Sequence, residues 1–406
     1  MTSQDRIRIF ERLTKEFHQE LKGQWRNSSD YTNKGHEWIK KIESEYNDSI
    51  LVAKLYDVLL SETKHFNNIS GERLPESLEY EDFVLVMKGG GIKGLAYVGA
   101  LEILENHYDF SWYTGTSAGG ITAILLGSGH TIDELKEILS KKNFADFKDA
   151  NCFVAIKNLI IKGGLYEAKS FTKWLEELLA VKLESSTAVR LQDLPKKTTV
   201  YASRRDKKAL IFSSFEDNTK EKNAAFAARC SMSIPLIFTP QSSEGMRVFD
   251  GGTQNNFPVE ILLENYPNAN FLGLYLGPET YKKEDESYLT ELLAIWTEAT
   301  DFEVLKKYKD NIIVIDPYPI RTTQFKLTDQ EKNFLLESGK LAALNFLHRI
   351  GRIDKSEYEF ASRKKSLEET RGTLVRKRKN KKKWRKRFLI GLFFLLLALI
   401  FFLIIN

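Results

Sequence analysis

The residues best suited to chemistry sit in three short segments, of which Gly115-Thr116-Ser117-Ala118-Gly119 says most. A serine hydroxyl attacks a carbonyl only when one group takes its proton and others steady the charge that develops on the carbonyl oxygen. The G-x-S-x-G spacing serves that chemistry when a strand precedes it and a helix follows, because a sharp turn then pushes the serine Oγ out at the sheet edge. Here the apolar stretch FSWY precedes the motif and GGITAILL runs on from it. Gly115 and Gly119 supply the small neighbours that such a turn needs. A helix dipole behind Ser117 favours negative charge. Alone, the segment also reads as a glycine-rich turn with a capping serine.

The second segment, Gly89-Gly90-Gly91-Ile92-Lys93-Gly94, follows an apolar run and opens a helix. Glycines allow positive φ and close approach of a ligand, and N–H groups at a helix start attract anions. Such a loop suits a phosphate or an oxyanion. It also matches the dinucleotide fingerprint G-x-G-x-x-G, with Asp109 placed 20 residues beyond Gly89. The third segment is Asp250-Gly251-Gly252, after Val248-Phe249. The base beside a serine is ordinarily a histidine, but none of the six (His18, His36, His65, His107, His130, His348) lies in a catalytic pattern. A carboxylate held near Ser117 can take the proton instead. Gly251 and Gly252 would let Asp250 pass close to the elbow, although D-G-G by itself is an ordinary turn signal.

Taken together, the three segments resemble the patatin-like phospholipase family, which pairs a G-G-G-x-K/R-G loop with a G-x-S-x-G elbow and a D-G-G/A turn. Gly164-Leu165-Tyr166 and Ala228-Arg229-Cys230-Ser231-Met232-Ser233-Ile234-Pro235 extend the likeness, which runs from about Phe83 to Ile261. The resemblance displaces the nucleotide reading. It implies a catalytic dyad with Ser117 as nucleophile and Asp250 as base, and an oxyanion hole at the amides of Gly89, Gly90 and Gly91. Lys93, Gly94, Gly115, Gly119, Gly251 and Gly252 take supporting places in the motifs. The implied substrate is a phospholipid or other acyl lipid, cleaved through an acyl-enzyme without metal or cofactor. A lipid acyltransferase, or a membrane-damaging effector lipase controlled by the N-terminal region, would use the same residues.

A serine and an aspartate 133 positions apart need a rigid frame between them. Phe83 to Met87, Phe110 to Tyr113, Thr198 to Ala202, Ala209 to Phe212, Phe271 to Leu276 and Asn311 to Ile315 are short apolar runs of strand character. Helices are expected at Ile92 to Asn106, Ala118 to Leu126, Ser170 to Val181 and Asn223 to Arg229, and after the capping boxes Thr131/Glu134 and Thr328/Glu331. This alternation predicts an α/β sheet with helices on both faces, and the resemblance makes it a three-layer α/β/α patatin-like sandwich. Four regions are expected: a helical N-terminal extension (1–80), the catalytic domain (81–350), a charged basic stalk (351–387) and a transmembrane helix (388–405). In the extension, Ile7, Phe10, Leu13, Phe17 and Leu21 recur at helical spacing, 67–82 reads as linker and 281–287 as loop.

Charge sharpens the picture. The chain of 406 residues has a net charge of +5. Eleven Lys and Arg between Arg371 and Arg387 leave the remainder at −6, with no basic stripe that would suit nucleic acid. Cys152 and Cys230 form no disulfide framework, which fits a reducing compartment. The N-terminus lacks a signal-peptide core. From Phe388 to Ile405 the sequence FLIGLFFLLLALIFFLII is unbroken apolar; as a helix it spans about 27 Å, close to a bilayer core. The block RKRKNKKKWRKR, Arg376 to Arg387, predicts attraction to anionic headgroups. It also predicts a single-pass C-terminal anchor with the catalytic domain in the cytoplasm.

Overall fold

A computed structural model describes residues 28–46, 83–278, 301–354 and 359–405, with Ile9, Arg12, Leu13 and Leu55; side chains 28–33, 302, 386 and 389–405 are not among those described. The expectations at Ile7, Phe10, Phe17 and Leu21, for the linker 67–82 and for the loop 281–287 lie outside these residues. The chain divides into two compact units, Met1–Glu81 with Leu344–Tyr358, and Asp82–Ala343 with Glu359–Asn406. In the first, helix α1 (Ser28–Tyr46) buries Trp38, Ile39 and Ile42 at helical spacing, and Arg12 donates to the Tyr46 hydroxyl at 2.6 Å.

The second unit is built on a mixed sheet whose described strands run in the order β10-β9-β1-β2-β4-β8-β7, with β5 paired to β4. The strands are β1 (Phe83–Met87), β2 (Phe110–Thr116), β3 (Gly164–Tyr166), β4 (Lys197–Ser203), β5 (Leu210–Ser213), β6 (Leu236–Phe238), β7 (Gln241–Ser243), β8 (Met246–Asp250), β9 (Phe271–Leu276) and β10 (Ile312–Ile315). From β10 to β4 the strands run parallel; β5 and β8 pair antiparallel to β4. The pair β3–β6 forms a separate small sheet.

Strand β1, FVLVM, shows why the centre is apolar throughout: all its side chains but Phe83 are buried. Alternation sends them to opposite faces. Val84 and Val86 join a cluster with Val259 and Leu262 of α8 (Val259–Asn265) and Val304 of α9 (Asp301–Lys307). Met87 meets Gly119 of α3 (Ala118–Gly127). Helices therefore cover both faces of the sheet. The Thr131/Glu134 capping box opens α4 (Ile132–Lys141), with the Glu134 N–H on Thr131 Oγ at 3.2 Å and the Thr131 N–H on Glu134 Oε2 at 2.8 Å. The Thr328/Glu331 box opens α10 (Asp329–Arg349) in the same way. Helices α2 (Leu95–Leu104), α5 (Cys152–Lys162), α6 (Lys169–Lys182) and α7 (Ala224–Ser231) complete this unit apart from its last element.

That element is α11 (Phe360–Ile405), 46 residues long. Its first turns, within the charged stalk expected at 351–387, bury one apolar side. Phe360, Leu367 and Leu374, seven residues apart, are buried. Arg371 pairs with Asp316 at 2.9 Å and donates to the Tyr318 carbonyl at 2.6 Å. Among the described residues no helix is long and apolar enough to cross a membrane, so the transmembrane helix expected at 388–405 is not shown. That run is the helical end of α11, and its side chains beyond Phe388 are outside those described.

Candidate active site

Strand register brings the motifs together. Thr116, the last residue of β2, lies opposite Tyr201 of β4, and Ala202 lies opposite Asp250 at the end of β8. Ser117 and Asp250 thus leave the ends of the two strands that flank β4, at one edge of the sheet. Ser117 adopts φ +52 and ψ −119, a left-handed conformation outside any helix or strand, and caps α3. Backbone strain of this kind costs about 1–3 kcal/mol and persists only where the surroundings enforce it. Two contacts enforce it here. A Cβ on Gly119 would meet the Met87 carbonyl at 2.2 Å, so only glycine lets α3 start so close to β1. The Ser117 N–H donates to Ser231 Oγ at 2.8 Å, and that hydroxyl donates to the Tyr201 carbonyl at 2.6 Å.

Asp250 is buried, and its Oδ1 accepts from the Gly252 N–H at 2.7 Å. Burial pushes its carboxyl up to about 7; the Ser117 hydroxyl and the Gly252 N–H oppose that rise as hydrogen-bond donors. The contact with Ser117 stays looser than a formed hydrogen bond, since the buried Oδ2 has no partner at hydrogen-bonding geometry. A carboxyl poised near neutrality can exchange a proton in both directions at physiological pH.

The glycine loop lies beside this pair. The Gly89 N–H donates to the Asn256 carbonyl at 2.9 Å. It is not available to an oxyanion, and the expected three-amide cradle narrows to Gly90 and Gly91. Gly91 takes φ +55, and a Cβ there would sit 2.4 Å from the Thr322 carbonyl. Lys93 is half-buried at the following turn, and its N–H donates to the Gly90 carbonyl at 3.3 Å. Gly94 abuts Ala118, beside the nucleophile. Gly251 is held by Ser203, whose hydroxyl donates to its carbonyl at 3.2 Å. The catalytic-pattern residues and the supporting glycines therefore converge on one place, while His130 stays apart from them, its Nδ1 against Ser128 Oγ at 2.8 Å at the end of α3.

Three supports were not legible as such. Ser231 lies inside the extended resemblance, but nothing in the sequence marks it as the acceptor for the Ser117 amide. Asn256 follows the D-G-G turn, and its side-chain oxygen lies where a Cβ on either Gly89 or Gly252 would fall, at 2.2 and 2.8 Å. Lys88, directly before the glycines, is buried and paired with buried Asp301 at 3.0 Å, with its Nζ 4.2 Å from the Tyr275 ring centroid. A lysine beside a glycine run gives no sign of burial.

Ser117 opens into a cleft lined by residues such as Ile121, Leu139, Phe147, Trp174, Met232 and Phe238. Apart from Ser117, Thr122 and the indole N–H of Trp174, no lining residue carries a side-chain group able to form ordinary hydrogen bonds. The cleft can hold a hydrocarbon chain and offers nothing to a charged nucleotide.

Fold and site together define an α/β enzyme domain that presents a strained serine to an apolar cleft. Residues 85–263 match the family described as patatin-like phospholipase, and this stretch is an enzyme domain of that type. The uncharacterized protein YqhO of Bacillus subtilis (strain 168) is 29% identical over 288 residues, 64% of this chain and 97% of YqhO. The probable lipid hydrolase 463L of Invertebrate iridescent virus 6 is 25% identical over 271 residues, 63% of this chain and 86% of that protein. Rat (Rattus norvegicus) calcium-independent phospholipase A2-gamma is 22% identical over 317 residues, 70% of this chain but 40% of that protein.

Proposed function

We propose that this protein hydrolyses fatty-acyl esters of glycerolipids through Ser117 and Asp250. The observation that carries the reading is a strained, cleft-facing serine and a buried carboxyl near neutrality at the ends of the two strands that flank β4. The ionised Asp250 takes the Ser117 proton as Oγ attacks the ester carbonyl. Negative charge passes to the carbonyl oxygen, where the N–H groups of Gly90 and Gly91 and the start of α3 stabilise it. Asp250 then gives the proton to the departing alcohol oxygen, leaving an acyl-serine. Water, deprotonated by Asp250, attacks that ester; the tetrahedral adduct expels Ser117 Oγ, which recovers a proton from Asp250, and a fatty acid is released. The apolar lining holds the acyl chain, and no step calls for a metal ion.

Attachment to a membrane belongs to the same proposal. The apolar run 388–405 is long enough to cross a hydrocarbon core, and Arg376 to Arg387 would sit among anionic headgroups on the cytoplasmic side. A lipid substrate partitions out of water, so tethering raises its effective concentration at the site. The deciding experiment is mass spectrometry of lipid products from the wild-type chain and Ser117→Ala. Free fatty acid and lysolipid are expected from the first alone. Equal release by both would end the reading.

A further inference from the structure

Helix α5 turns its apolar residues the wrong way for a core helix. Only Ala155 and Asn158 are buried, whereas Phe153 is 87% exposed, Ile160 79%, Ile161 63% and Ile156 51%. At 100° per residue Phe153, Ile156 and Ile160 form one continuous strip, with Val154, Lys157 and Ile161 along its edge. An exposed apolar strip of this kind on a folded unit marks an interaction surface.

Two observations say what covers it. The first is its attachment to the cleft. Phe147, just before α5, lines the cleft. The strand after α5, β3, pairs Tyr166 with Phe238, another lining residue. Asp149 accepts the N–H groups of Glu167, Ala168 and Lys169 at 3.0, 3.0 and 2.7 Å, tying the approach to α5 to the start of α6, whose Phe171 and Trp174 line the cleft as well. The second is charge. Seven lysines and three acidic residues lie between Lys141 and Lys173, although the chain outside its basic tail is net acidic. Lys157, at the edge of the strip, is exposed, as are Lys148 before the helix and Lys162 and Lys169 at and beyond its end, the last two paired with Glu167 at 2.8 and 3.2 Å. An apolar strip in a lysine-rich segment suits an interfacial helix on an anionic lipid surface.

We propose that the outward face of α5 docks the catalytic unit on a bilayer carrying anionic headgroups, placing the cleft where a lipid acyl chain can leave the membrane. The proposal rests on the lipid-hydrolase reading of the site. It differs from attachment through the C-terminal run, which needs no contact between α5 and lipid.

Cys152 provides a native reporter at the start of the helix. Its thiol is exposed, whereas Cys230 is buried, with its thiol pushed up to about 12 by burial. The full chain carrying Ser117→Ala, so that vesicles stay intact, is labelled at Cys152 with an environment-sensitive fluorophore. It is then bound to phosphatidylcholine and phosphatidylglycerol vesicles at about 4:1. A blue shift with quenching by bromine on the acyl chains is expected, weaker on pure phosphatidylcholine. Both signals should vanish in Phe153→Asp/Ile160→Asp. With Ser117 restored, that double variant should lose at least about tenfold in hydrolysis of vesicle lipid while cleaving a monomeric short-chain ester at the wild-type rate, because only docking has lost apolar burial. A label that stays in water on vesicle-bound chain overturns the proposal. So does a blue shift produced by concentrating the chain without vesicles, which would mean that a second copy covers the strip. A label that enters lipid on a wild-type chain unable to cleave any ester would sink the hydrolase reading and spare the docking face.

Discussion

Replacing Asp250 with asparagine should cost the enzyme its activity and return stability, with a sign and pH window that the structure sets. The carboxyl lies at about 7 in the fold against an ordinary 3.8, chiefly because it is buried. Holding it ionised costs on the order of 4 kcal/mol, at about 1.36 kcal/mol per pKa unit. The folded state binds the proton more tightly than the unfolded one, so the penalty is absent where both are protonated. It grows as pH rises between the two values and levels off once both are ionised. The asparagine side chain keeps an oxygen for the Gly252 N–H and has no charge to bury. Urea unfolding of the full chain across pH 4 to 9 checks this. The stability of wild type minus that of Asp250→Asn should fall by several kcal/mol between about pH 4 and 7 and then stay flat. Hydrolysis by wild type should rise over the upper part of that window, as the base form appears. Parallel stability curves would refute the buried-carboxylate reasoning, and an active asparagine variant would refute its role as the base.

Ser231→Ala leaves the Ser117 N–H buried without its acceptor, a loss of about 1–3 kcal/mol; thermal unfolding should register it, and kcat should fall more than KM changes. Gly91→Ala meets the Thr322 carbonyl in a left-handed conformation, so steady-state hydrolysis should drop at least about tenfold through loss of the oxyanion donors, with the far-ultraviolet circular dichroism unchanged. Lys88→Met removes the buried cation paired with the Asp301 carboxylate and should cost about 3–5 kcal/mol, much of it recovered in Lys88→Met/Asp301→Leu; denaturant midpoints of the two variants decide it. Removing residues 388–406 should free the enzyme from carbonate-washed membranes while short-chain ester hydrolysis persists, and continued membrane retention would contradict the anchor.

Much of this site is legible in sequence because it is local. The run FVLVM is β1 to the residue, the capping boxes open α4 and α10, and the elbow glycines are spaced as the turn demands. What the sequence hides depends on packing between distant segments. Nothing about Gly89 says that its amide is already taken by Asn256, because that bond joins segments 167 residues apart. Strands β3, β6 and β7 are three residues each, too short to show a period. Arg229 reads as an ordinary helix residue, yet it is buried and fastens the carbonyls of Glu167 and Thr239, each at 2.8–2.9 Å, across the β3–β6 sheet. Helix α5 has apolar residues around much of its circumference, a pattern that suits a core helix as readily as a surface one.

Helix α11 sets a phase as well as a distance. Its early turns are keyed to the catalytic unit by Arg371 on Asp316 and Arg378 on the Pro319 carbonyl, and the same helix runs on without a break into the apolar stretch. Each residue inserted between the two would turn one against the other by about 100° and lengthen the rod by about 1.5 Å. Two added residues would swing the keyed face to the opposite side, whereas seven would nearly restore it about 10 Å further along. In such a rod azimuth and height change together, which a flexible tether would not impose.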